Sequence, residues 1–186
     1  MRALGRNSVW LLFTRLTAQA MAVLFIALIA RRIDMQSFGQ FTFIGAVVLI
    51  GNTFTNFGTD TYIVREVART RNTVPLISRA LGLQLALSTF WWIATLVSPP
   101  NPPLLIYSLS LFPLALFSVA TATLRGFERM DLVWTLSLLN GIIQVIAALF
   151  SKDLQTLCIS LFVAQLLLAA LSYWVCSVYL PGFRLL

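Results

Sequence analysis

The sequence contains no histidine, and its six acids are dispersed along the chain at Asp34, Asp60, Glu66, Glu128, Asp131 and Asp153. It has no acidic pair of the DxD kind, no glycine-rich phosphate loop and no nucleophile elbow, so an enzyme is not expected. The two cysteines, Cys158 and Cys176, lie in one apolar run and indicate neither a metal site nor a disulfide framework. They read as small apolar helix residues, and no cofactor is expected. Charged residues make up only 10% of the chain, against about 25% in soluble domains. With 59% hydrophobic residues, this excludes an ordinary soluble domain and leaves a multi-span membrane protein. No polar stretch is long enough to build an aqueous domain. The net charge of +7 would suggest nucleic acid in a soluble protein. Here it fits basic cytoplasmic loops against anionic membrane lipids, and no nucleic-acid partner is expected.

Six apolar runs predict an all-α integral membrane bundle of six transmembrane helices in one domain, residues 1–186. The spans fall at about 9–31, 40–64, 77–98, 104–124, 132–150 and 154–180, each near the ~20 residues that cross a bilayer core. Short connections predict that successive helices are antiparallel neighbours. With the N-terminus inside, the inner segments hold Arg2, Arg6, Arg65, Arg69, Arg71, Arg79, Arg125, Arg129 and Arg184, and the outer loops hold Arg31, Arg32 and Lys152. This asymmetry predicts a cell-membrane protein with both termini cytoplasmic.

The first span carries one charge, Arg15. A secretory signal peptide has a shorter apolar core, which Arg15 would interrupt. Arg15 lies about 9 Å of helix rise from the inner edge, close enough to snorkel to the headgroups. The alternative is a cation facing a wet cavity, the usual setting of an ionisable residue within a span. Asp60, about 6 Å from the same edge by helix rise, is expected to pair with Arg15 or to line one cavity with it.

Other polar residues recur at helical spacing. Asn52, Asn56 and Asp60 fall at i, i+4 and i+8 in the second span, and Arg15 and Gln19 are four apart in the first. Gln84 and Ser88 in the third span, Ser118, Thr121 and Arg125 in the fourth, and Ser137, Asn140 and Gln144 in the fifth show the same spacing. Such residues can bond across helices and hold a bundle together. Two amides and an acid on one face exceed what that role needs. The candidate cavity-lining residues are therefore Arg15, Gln19, Asn52, Asn56, Asp60, Asn140 and Gln144. Arg65-Glu66 and Glu128-Arg129 read as paired charges at a headgroup surface. All five tryptophans read as structural anchors, most of them interfacial. Pro113 is expected to kink its helix, as a hinge or as a packing feature.

Four pieces in order carry a family resemblance. The first is LLFTRLTAQ in the first span, which ends in ALIARRI. The second is Ser37-Phe38-Gly39-Gln40-Phe41. The third is Phe57-Gly58-Thr59-Asp60 running into Val64-Arg65-Glu66-Val67-Ala68-Arg69. The fourth is Leu124-Arg125-Gly126-Phe127-Glu128-Arg129-Met130. Together they resemble the N-terminal half of the polysaccharide or O-antigen type flippases, within the multidrug/oligosaccharidyl-lipid/polysaccharide exporter superfamily. The resemblance implies a two-lobed MATE-like transporter fold of which this chain is one six-helix lobe, with the second lobe absent or supplied by another chain or a second copy. It implies a polyprenyl-phosphate-linked oligosaccharide flipped to the outer leaflet for cell-surface polysaccharide biosynthesis, and a phosphate-attracting role for Arg15. Two other readings stay open at this point. One is a drug/cation antiporter of the same superfamily, with Asp60 as its ion site. The other is a non-transporting membrane remnant or interaction subunit.

Overall fold

The computed structural model describes residues 2–70, 74–97 and 101–179, with side chains from Val9 onward and, in the second stretch, from Leu76. The predicted span edges at 98 and 180, the cations Arg71 and Arg184, and the side chains of Arg2 and Arg6 lie outside the described residues. The described chain is all helix: α1 (Arg2–Arg32), α2 (Met35–Asn56), α3 (Thr59–Thr70), α4 (Val74–Leu96), α5 (Pro102–Ser108), α6 (Leu111–Gly126), α7 (Met130–Phe150) and α8 (Leu154–Tyr179). Six stretches are long and apolar enough to cross a membrane; α2 with α3 forms one, and α5 with α6 another.

Both divisions have local causes. Pro113 has no N–H to donate, and its ring would clash with the carbonyl four residues back in a continuous helix. The chain therefore turns at Leu109-Ser110, and Pro113 falls in the first turn of α6, where a missing donor costs little. The expected kink is thus a break just upstream of the proline. The α2–α3 break sits at Phe57 (φ 40°) and Gly58 (φ 76°), left-handed conformations that Gly adopts freely and Phe at a cost of roughly 1–2 kcal/mol. At the C-terminal end of α1 the Arg32 guanidinium donates to the Leu149 carbonyl near the end of α7, where a helix C-terminus favours a cation. Asp34 caps α2 by accepting from the Ser37 N–H at 3.0 Å, and these Ser37 contacts hold its carboxyl below the usual carboxylate range.

The expected neighbour order fails at the first helix. α1 packs chiefly on α7 and only slightly on α2. Small and aromatic residues make that contact: Gly141 admits Met21, and Trp10 lies 5.3 Å from Trp134 between ring centroids. Trp91 makes a packing contact of its own. It packs over Gly51, where an added β-carbon would lie 2.4 Å from the indole Nε1, and beside Phe54 at 5.7 Å. Gly51→Ala is expected to cost about 1–3 kcal/mol by overpacking, read as a lower apparent Tm in detergent. Combining it with Trp91→Leu should recover part of the loss.

Two apolar clusters hold the bundle. One joins Ile63, Val67, Ile77, Leu124, Leu136 and Cys176, on the ends of the helices that the arginine asymmetry places inside. The other joins Ile29, Ile44, Leu104, Ala148, Leu157 and Cys158 at the opposite end. Both cysteines are free and buried. The polar residues of the spans lie between and beside these clusters.

Candidate functional site

A cavity of about 350 Å³ opens within the bundle, in the half that the arginine asymmetry would place outside, lined among others by Asn52 of α2, Asn140 and Gln144 of α7, Gln165 of α8 and Tyr107 of α5. No lining residue is charged. The Gln144 side-chain amide donates to the Asn140 carbonyl oxygen at 3.0 Å, the i,i+4 contact their spacing allows. Gln165 is 4% exposed, and its Oε1 accepts no hydrogen bond. A buried acceptor left unsatisfied costs roughly 1–3 kcal/mol, so a hydroxyl entering the cavity would be held there. Carboxamides both donate and accept, which suits a polyhydroxylated ligand better than a bare ion.

A second pocket, of about 280 Å³, lies toward the opposite end and is lined by Asp60, Thr61, Val64 and Arg65 of α3 and Arg125 of α6. Asp60 accepts from the Ser118 hydroxyl at 2.5 Å. The α2–α3 break positions this carboxylate. It frees the first N–H groups of α3, and the Asn56 Oδ1 accepts from the Asp60 N–H at 3.3 Å and from the Thr59 hydroxyl at 3.1 Å. The buried Gln84 amide donates in turn to the Thr59 hydroxyl. Asp60 thus sits in the first turn of a helix, where negative charge is favoured.

The predicted candidates therefore divide. Asn52, Asn140 and Gln144 share the outer cavity, and Asp60 lines the inner pocket. Asn56 works as a cap across the break and lines neither. Arg15 and Gln19 are exposed on α1 and line neither cavity. They lie on the same helical stripe as Ala22 and Ile26, which do line the outer one. Asp60 makes no ion pair with Arg15; among the described residues the salt bridges are Arg69–Glu66 at 2.7 Å and Arg129–Asp131 at 3.3 Å. A similar expected depth did not bring Arg15 and Asp60 together, because α1 sits on α7 and away from α3. The same two bridges correct the adjacent pairs Arg65-Glu66 and Glu128-Arg129. On a helix adjacent side chains point to different faces while those three apart share one, so Glu66 turns to Arg69.

Gln165, Tyr107 and Ser118 belong to these sites and are not among the predicted cavity residues. Gln165 is the mid-span glutamine of α8, eleven residues in from its start, a signal that stands out only once its neighbours are known. The break itself had a signal: Asn56 and Gly58 inside an apolar run form a helix-stop pattern.

An all-helical bundle of six candidate spans, with an amide-lined cavity inside and a basic pocket at one end, defines a multi-span membrane protein. The family model for polysaccharide biosynthesis proteins matches residues 4–186, and the chain belongs to that family. No curated protein and no solved structure matches it.

Proposed function

We propose that the protein flips a polyprenyl-phosphate-linked oligosaccharide across the cytoplasmic membrane for cell-surface polysaccharide biosynthesis, with both termini cytoplasmic. The observation that carries this reading is the uncharged amide cavity, Asn52, Asn140, Gln144 and Gln165, set within membrane-spanning helices. A sugar cannot enter hydrocarbon with its hydroxyls unsatisfied, and these amides answer that need. The absence of a carboxylate from this cavity weighs against a drug/cation antiporter, whose cargo would call for one. Flipping would proceed by rocking of this lobe against a second wall, supplied by another lobe or another copy. Arg15 and Gln19 extend the α1 stripe inward from the cavity and would face the same path.

The test is surface polysaccharide in cells lacking their own exporter and expressing this gene. Asn52→Leu with Asn140→Leu is expected to lower display roughly tenfold, about what two lost hydrogen bonds amount to, at unchanged membrane abundance. Display at the wild-type level in that double variant would end the proposal.

A further inference from the structure

We infer that the pocket between α3 and α6 binds the phosphate ester of a membrane lipid through Arg65 and Arg125. The site goes beyond the transport reading and stands on different residues.

The first ground is charge. The pocket holds two guanidiniums and one carboxylate, and among the described residues neither Arg65 nor Arg125 forms a salt bridge. Asp60, the acid within the pocket, bonds to Ser118, Glu66 and Asp131 are taken by Arg69 and Arg129, and Glu128, three residues after Arg125, is exposed and forms no salt bridge among the described residues. The second ground is burial. The Arg125 Nε is buried and has no hydrogen-bond partner. A buried donor on a permanently charged group is costly to leave unmet, and a phosphate oxygen pair meets the guanidinium edge two bonds at a time.

The third ground is rigidity. An added β-carbon at Gly126 would lie 2.7 Å from the Val67 Cβ and 3.3 Å from the Val64 carbonyl oxygen. That close contact locks α6 onto α3 next to Arg125 and fixes the spacing of the two cations. The fourth is placement. Arg65 and Arg125 fall on the side that the arginine asymmetry assigns to the cytoplasm, within reach of inner-leaflet headgroups. Asp60 adds selectivity: its carboxylate would accept from a hydroxyl beside the phosphate, as in a glycerol or sugar headgroup, and would repel a second anionic group.

The phosphate could belong to a bulk anionic phospholipid or to a polyprenyl-phosphate sugar, and binding measurements separate the two. The purified protein in maltoside micelles is titrated with short-chain phosphatidylglycerol, with a short-chain polyprenyl-phosphate sugar, and with diacylglycerol, which has no phosphate. Both phosphate probes are expected to bind and diacylglycerol is not. Arg125→Gln and Arg65→Gln should each weaken phosphate binding at least tenfold. Arg125→Lys, which keeps charge without the fork, should fall between, and Lys152→Gln in an outer loop should leave binding unchanged. Circular dichroism confirms that each variant is folded. Tighter binding of the polyprenyl probe identifies the substrate's phosphate, and equal binding identifies a structural phospholipid; either supports the site. Wild-type affinity in both arginine-to-glutamine variants, or equal binding of diacylglycerol, overturns it. No export by the wild-type protein, with its lipid binding intact, would count against the transport reading alone.

Discussion

Gly141→Val is expected to detach the first helix and leave little properly folded protein. A β-carbon at this position would lie 2.6 Å from both Cβ and Cγ of Met21, and Val adds two methyl groups beyond it. The Met21 Cβ is tied to its backbone, so the side chain cannot swing clear; α1 itself must retreat. Overpacking of this kind costs about 1–3 kcal/mol where neighbours can shift. The expected loss is at the upper end, because α1 has almost no other partner: its contact with α2 is slight. The measurement is the fraction of protein recovered as a monodisperse peak in detergent, with protease cleavage within α1 as a second readout. Gly141→Ala should show a smaller loss of the same kind. Wild-type recovery of Gly141→Val would mean that α1 is not seated on α7 as described.

Asp60→Arg is expected to be nearly as damaging, through charge. It removes the acceptor of the Ser118 hydroxyl, a charge-assisted bond of about 1.5–3 kcal/mol, and puts a third guanidinium beside Arg65 and Arg125. The informative part is which second change rescues it. Arg125→Asp is expected to restore part of the apparent Tm, since residues 60 and 125 share a pocket. Arg15→Asp is expected to restore none, since Arg15 is exposed on a helix that does not line that pocket. Rescue by the change at Arg15 and none by that at Arg125 would invert this placement.

That contrast also shows how far residues alone could be read. Hydropathy dictates that the chain crosses the membrane, because each run must satisfy its backbone internally. Helical spacing likewise brought Asn140 and Gln144 into contact and put them on one face with a shared cavity. Spacing and depth say nothing of which helices touch. The short loop at residues 33–34 suggested that α1 would lie along α2, yet shape at Gly141 and the Trp10–Trp134 contact took it to α7. The stripe Asn52–Asn56–Asp60 assumed one unbroken helix. Gly58 let the chain break there, so Asn52 went to one cavity and Asp60 to another. Arg125 read as the inner end of a polar stripe and not as a pocket residue, because its role depends on Gly126 drawing α6 against α3, a contact between residues far apart in the chain.

The two apolar clusters give the bundle an uneven stiffness. Close-packed side chains at each end resist deformation, while the region between them pairs buried apolar residues such as Leu111 and Leu168 with the open, amide-lined cavity. Both helix breaks, at Phe57-Gly58 and at Leu109-Ser110, lie in spans that cross this region. A bending load on the lobe would therefore be absorbed at its waist with the rims intact. Cys158 and Cys176, one in each rim, would stay shielded from thiol reagents throughout such a movement.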